Sequence, residues 1–352
     1  MDGRRLTVAA GLIVALVVLP ASLPDSREVG PAPVGDFQAL DEASPTPASN
    51  ASKDPVIAAV GDMVCNSGPE EGPDRAPKYG LCEYMAVSDI VANGSYDAFF
   101  ALGDEQYLRG SYQHFTDFYD PSYGRVMDIT YPIPGNHEHY TPDAAGYFEY
   151  FGERAHPPTG YYSFDIGKWH VVALDTQLCK NKIWYRTTGM VHNLPGWGCK
   201  ANSPEYKWLQ RDLAKNGDAA CTMALMHHPM YKWSYWPIRE DHRIQKPFLK
   251  LLQQSGADVV LAGHWHDYQR FEPMNARGHA DPKGLAEFIV GTGGDTYSPL
   301  PTKMPKPEGL VVAHDGSYGV LQMTLHPDSY DWKFVTAEGQ PPFDDSGSAQ
   351  CH

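Results

Sequence analysis

The sequence predicts an α/β fold, and three observations predict it. Short apolar runs recur from Val56 onward, each bounded by glycine or proline and each as long as a buried strand. Patterns at helical spacing lie between several of them. Towards the end, residues 287–291, 319–325 and 330–336 read as further strands, which suggests a second sheet packed on the first.

Before the first strand the chain has another character. Arg4 and Arg5 precede an apolar run at 6–19, followed by Pro20-Ala21-Ser22. That run is shorter than the ~20 apolar residues of a membrane span, and residues 1–28 read as an export signal. No other stretch could span a membrane. Residues 29–54 are rich in Pro, Ala, Ser and acidic side chains, show no periodicity, and read as a flexible linker. The folded domain is expected over 55–352. With 42% hydrophobic residues in a chain of 352, it can bury a sizeable core. A formal net charge of −15 lacks the basic footprint of a nucleic-acid binder.

The elements follow in order. Residues 56–60 form a strand ending in Gly61-Asp62, and 81–92 have helical spacing. A strand at 96–102 ends in Gly103-Asp104-Glu105-Gln106-Tyr107, and one at 129–134 ends in Gly135-Asn136-His137-Glu138-His139. Residues 161–176 read as a hairpin turning at Ile166-Gly167-Lys168. Residues 177–202 show no strand pattern and read as an insertion clipped by Cys179 and Cys199. Ser203-Pro204 looks like a helix N-cap followed by proline at the first helical position. The strand at 221–226 ends in His227-His228-Pro229. A helix is expected at 247–254, closed by Gly256, and the strand at 257–262 ends in Gly263-His264-Trp265-His266. Trp233, Tyr235 and Trp236 form an aromatic patch that suits a cleft wall or plain packing.

Six cysteines in an exported chain suggest disulfides: Cys65, Cys82, Cys179, Cys199, Cys221 and Cys351. Proximity in sequence favours Cys65–Cys82 and Cys179–Cys199, leaving Cys221–Cys351. No C-x-x-C pair supports a thiolate metal site.

The five strand ends present Asp62, Asp104, Tyr107, Asn136, His137, His227, His264 and His266. One Gly-Asp or Gly-His says little; five such ends in one chain say more. Carboxylate, phenol, carboxamide and imidazole suit two metal ions ~3.5–4 Å apart, the spacing used for in-line displacement at phosphorus. A carboxylate such as Asp104 can bridge both ions. Side chains two apart on an extended backbone point the same way, so His264 and His266 can each reach one ion.

These residues resemble the calcineurin-like metallophosphoesterases, in particular the purple acid phosphatases. The matching motifs are Gly61-Asp62, Gly103-Asp104-x-x-Tyr107, Gly135-Asn136-His137-Glu138, His227-x-Pro229 and Gly263-His264-x-His266, spread over residues 56–273. Tyr107 is the specific element. The resemblance implies a four-layer α/β/β/α sandwich of two mixed β-sheets flanked by helices, in a compact single-domain form. It implies a secreted phosphatase with a binuclear metal site, hydrolysing phosphomonoesters by attack of a metal-bound hydroxide on phosphorus. A phosphodiesterase or nucleotide hydrolase on the same scaffold is the second reading, and a non-catalytic metal-bound surface protein the third.

Carried over by motif, Asp62, Asp104, Tyr107 and His266 would hold ferric iron, Fe(III). Asp104, Asn136, His227 and His264 would hold a second ion: iron, zinc or manganese. His137 is the candidate proton donor to the leaving alkoxide, with Glu138 orienting it. His228 and His139 are candidates for phosphate contact or proton delivery. The partner implied is a small-molecule phosphate ester. Two departures stand out. Met63-Val64 follows Asp62 where the family has Asp-x-Gly, and residues 230–243 lack the paired histidines of the plant enzymes.

Overall fold

A computed structural model describes residues 53–65, 82–179, 199–235 and 241–352, together with two short backbone strands between 179 and 199. The expected export signal, nearly all of the linker, and Trp236 lie outside the described residues. No helix among them is long and apolar enough to cross a membrane.

Two mixed β-sheets pack face to face between helices. In the first, Val56–Val60, Ala98–Ala101 and Thr130–Pro132 run parallel. Gly319–Leu325, Ser329–Thr336 and Ser346–Gln350 extend it antiparallel from the Val56–Val60 side. In the second, Trp169–Leu174, Cys221–Met226, Val259–Ala262 and Leu285–Val290 run parallel. Tyr162–Ile166 closes one side, and Tyr268–Met274 and Leu310–His314 the other, all antiparallel to their neighbours.

The period-2 rule sorts the core. Val171, Ala173, Met223, Leu225, Val259 and Leu261 join the cluster shared with the first sheet. Their alternates Val172, Leu174, Ala224, Met226, Val260 and Ala262 pack with Leu209, Leu213, Phe248 and Leu252 on the helices Pro204–Lys215 and Asp241–Gln254. Both faces are covered, which is why these strands read as unbroken apolar runs. The Ser203 hydroxyl accepts from the Tyr206 N–H at 3.1 Å, capping the helix that Pro204 opens. All three disulfides join the expected pairs.

Three expectations are corrected. The late strands do not build a sheet of their own: Leu285–Val290 joins the parallel row of the second sheet, while 319–325 and 330–336 widen the first. Patterning assigns faces to a strand, but it does not name the strand's neighbours. The insertion at 177–202 carries a small antiparallel pair, Lys182–Trp184 with Val191–Asn193. Three residues are too few to show alternation. The helix expected at 247–254 is Asp241–Gln254, with Pro247 inside it. Such a proline costs ~3 kcal/mol; burying Phe248, Leu249 and Leu252 at ~1.5–3 kcal/mol each offsets it.

Candidate metal centre

The parallel rows of both sheets end on one edge, and the five motifs, four of them opened by glycine, meet there. The backbone at this edge is held in unusual conformations. Asp62, Asp104 and His264 have φ of 58°, 51° and 74°, in the left-handed region that costs a non-glycine residue ~1–3 kcal/mol. Neighbouring chain over-determines them. The N–H groups of Asp62, Met63 and Val64 donate to the carbonyls of Gly103, Asp104 and Glu105 at 2.9–3.1 Å, prolonging the ladder past the strands. Gly103 is required at its position, because a Cβ there would stand 2.7 Å from Nδ1 of His227.

The side chains then fall into two groups that share Asp104. In the first, the Tyr107 hydroxyl donates to Asp62 Oδ1 at 2.9 Å, lies 3.2 Å from Asp104 Oδ2, and lies 3.0 Å from His266 Nε2. In the second, His227 Nε2 lies 3.2 Å from Asp104 Oδ2, 3.3 Å from Asn136 Oδ1 and 3.2 Å from His264 Nδ1. One carboxylate oxygen of Asp104 thus faces a donor from each group. Asp62, Asp104 and Tyr107 are almost wholly buried, as is His227.

Electrostatics make this centre a sink for positive charge. Burial works against the Asp104 carboxylate, but His227 and His137 outweigh it and hold its pKa well below the carboxylate range. Burial likewise opposes a charged His227, yet Asp104 carries it up to about 9. Asp62 carries His266 up to about 10 against the same penalty. Burial, Asp104 and Asp62 push the Tyr107 phenol well above its ordinary value; a bound cation reverses that local logic. Hard oxygens and imidazoles converging on buried negative charge fit metal ions.

The remaining predicted residues surround this core. The His137 side chain is 15% exposed, with Nε2 3.8 Å from Asp104 Oδ2. Its Nδ1 is 2.7 Å from the Leu108 carbonyl. The expected orienting role of Glu138 is therefore corrected: Leu108 holds the imidazole. Glu138 sits behind the site instead, and its carboxylate accepts from the backbone N–H groups of Asp104, Gln106 and Gly135 at 2.8–3.2 Å. His228 is fully buried, bonded through Nδ1 to the Thr176 hydroxyl, with its ring centre 4.4 Å from that of His264 and tilted 50° to it. His139 pairs with Asp175 at 2.8 Å. Trp233 is buried, whereas Tyr235 is exposed.

Sequence reasoning missed two carboxylates. Glu287 accepts from the N–H groups of Met230 and Tyr231, fixing the loop after His227. Asp295 follows Leu285–Val290 and approaches His266 Nδ1 to 3.6 Å. The second was findable, since Val290-Gly291-Thr292-Gly293-Gly294-Asp295 repeats the pattern of an apolar run, glycine and carboxylate.

Comparison with known proteins gives the family and the fold. The family model for the calcineurin-like phosphoesterases matches residues 55–268. Purple acid phosphatase 21 of Arabidopsis thaliana is 27% identical over 250 residues, covering 66% of this chain and 51% of that protein. The chain spans about half the length of the curated relatives it matches. The structure of purple acid phosphatase PPD1 from yellow lupin superposes with a TM-score of 0.60 at 15% identity, over 84% of this chain and 53% of the other. GAP50, named as the anchor in the inner membrane complex of Plasmodium, gives 0.58 at 12% identity, over 85% and 90%. Both likenesses are of fold. A fold shared by a phosphatase and an anchor leaves activity to be argued from side chains.

Proposed function

Starting from the fact that the chain belongs to the calcineurin-like phosphoesterase family, we propose that it is a secreted metal-dependent phosphatase acting on small phosphomonoesters. The observation that carries this reading is the placement of Tyr107, whose hydroxyl stands within 3.2 Å of Asp62, Asp104 and His266. In this reading Asp62, Asp104, Tyr107 and His266 hold ferric iron. Asp104, Asn136, His227 and His264 hold iron, zinc or manganese. When bound, the two ions supply a water ionised near neutral pH and polarise the phosphoryl oxygens.

The chain's own residues do the rest. His137 presents Nε2 beside Asp104, while the bond from Nδ1 to Leu108 fixes its ring. It delivers the proton that the departing alkoxide requires. Glu138 keeps the Asp104 and Gly135 loops at a fixed separation through its three backbone bonds. His228, enclosed and anchored by Thr176, supports His264 from behind. Three disulfides support an oxidising compartment and hence export.

The test is an assay of residues 29–352 on a chromogenic phosphomonoester and its matched diester, from acid to alkaline pH, with Asp104→Ala as blank. Monoester turnover that the variant lacks is the expected result. Preference for the diester would move the function to a phosphodiesterase. Silence on both by protein with metal bound would overturn the enzymatic reading.

A further inference from the structure

One strand end outside the five motifs opens on the same edge. Trp169–Leu174 runs parallel to Cys221–Met226 with Leu174 level with Met226, so Asp175 and Thr176 emerge beside His227 and His228. Both are almost wholly buried. The Asp175 N–H donates to Glu205 Oε1 at 2.9 Å, which ties it to the first turn of the helix Pro204–Lys215. Its Oδ1 accepts from the Gln177 N–H at 3.1 Å. The Thr176 hydroxyl accepts from the His228 N–H at 3.1 Å and lies 2.9 Å from His228 Nδ1. Residues 175–177 are thus fixed to the second sheet and to a helix that covers it.

The other oxygen of Asp175 reaches across to the first sheet. Its Oδ2 lies 2.8 Å from Nε2 of His139. His139 sits in the turn Glu138–Tyr140, past the strand Thr130–Pro132 of the first sheet. That turn starts from His137, whose carbonyl accepts from the Tyr140 N–H at 3.3 Å and whose ring centre lies 4.6 Å from that of Tyr140. From its own sheet the segment is held by the His137 N–H, which donates to Asp104 Oδ1 at 2.8 Å, and by Nδ1, 2.7 Å from the Leu108 carbonyl. From the opposite sheet it is held by His139 on Asp175. A buried bond between imidazole and carboxylate is stronger and more directional than a neutral one.

We propose that Asp175 and His139 are positioning residues: they brace the edge of one sheet against the other and set where His137 stands relative to the departing alkoxide. The proposal rests on the phosphatase reading above, with His137 as proton donor, and deepens it. The pair acts through His137. A displacement of ~1 Å at a reacting group can cost ~10²-fold in rate, so a bond two residues along the chain can govern proton delivery.

The experiment uses the full chain with its metals bound, comparing parent, His139→Leu, His139→Gln, Asp175→Asn and His137→Ala. Turnover of an alkyl phosphate, a poor leaving group, is read against turnover of a nitrophenyl phosphate, whose leaving group needs no proton. Metal content and melting temperature are measured alongside. His139→Leu is expected to lower kcat on the alkyl ester ~10–100-fold, with a smaller loss on the nitrophenyl ester and KM and metal content unchanged. His139→Gln, whose amide N–H can still donate to Asp175, should restore the parent ratio of the two esters. Asp175→Asn keeps the shape but weakens the bond, and should shift the ratio in the same direction by less. Equal losses on both esters in His139→Leu, or loss of a metal, would give the fall another cause and overturn the brace. So would a His139→Gln variant as impaired as His139→Leu. Should His139→Leu fail to fold, Asp175→Asn carries the test, and an unchanged ester ratio in it overturns the brace. A parent silent on both esters, or a His137→Ala variant with an unchanged ratio, overturns the underlying reading and the brace with it. A ratio that moves in His137→Ala but not in His139→Leu overturns the brace alone.

Discussion

The two sides of Asp104 are built from the same materials and differ in charge. On one side the shared carboxylate meets a second carboxylate and a phenol; on the other it meets a carboxamide and two imidazoles. Both sides are supplied by strand ends of the same two sheets, within one edge. The difference teaches that the sheets fix where ligands stand, while the residue chosen at each end fixes what kind of ion the position suits. A single scaffold can therefore set two unlike groups of donors side by side around one shared carboxylate.

The most severe way to break this comparison is to remove its shared member. Asp104→Ala should lose both ions, and turnover should fall to the level without enzyme; metal analysis and the phosphomonoester assay check this together. Substitutions on one side should act on one ion. Tyr107→Phe should lose the visible band while the second metal stays. Asn136→Ala should deplete the second metal while the band stays. If each variant lost both metals equally, the division into two positions would be wrong.

A smaller effect separates chemistry from metal binding. His137→Ala should keep both ions and lower kcat ~10²–10⁴-fold on an ester with a poor leaving group. The loss should shrink for a nitrophenyl ester, whose leaving group needs no proton. Equal loss on both esters would remove the proton-donor role.

The smallest effect tests whether pH acts through the scaffold as well as the site. His170 lies away from the centre, 2.8 Å from both Asp165 and Asp212. Burial lowers its proton affinity, but the bonds to Asp212 and Asp165 outweigh this and hold it above the ordinary value. A raised value in the folded state stabilises below the unfolded value of ~6.5 and is lost as pH rises through the folded one. The melting temperature should therefore decline as pH rises above ~6.5, and His170→Asn should flatten that decline. A parallel decline in the variant would assign the effect to other groups.

Much of this was legible in the sequence, for an identifiable reason. A strand buried on both faces must be apolar throughout, so Cys221–Met226 and Val259–Ala262 end sharply where polar residues begin. The motif after each end stands out against that silence. Glycine adds a second mark, because close approaches such as that of Gly103 to His227 exclude a side chain. Sheet membership was not legible, since Gly319–Leu325 carries a face pattern and no address. The place of Glu138 was hidden for a similar reason: its partners are backbone N–H groups of Asp104 and Gln106, and no side-chain pattern records them. Asp295 was missed because it stands, in its Gly294-Asp295 pair, five residues beyond the strand's last residue, Val290, and not directly at the strand end.

The disulfide between Cys221 and Cys351 gives the molecule a covalent ring. Cys221 opens the strand that delivers His227, and the ring also contains His264, His266 and Asp295. The run from Thr302 to Lys306 lies exposed within it, with Lys303 in reach of a trypsin-like protease. A cut there would add one water and create two new ends, yet release nothing. The nicked protein would migrate as a single species, with residues 304–352 held through sulfur to the piece that carries every metal ligand. Only a reductant would part the pieces, so a gel run with and without thiol would reveal damage that an intact-size measurement conceals.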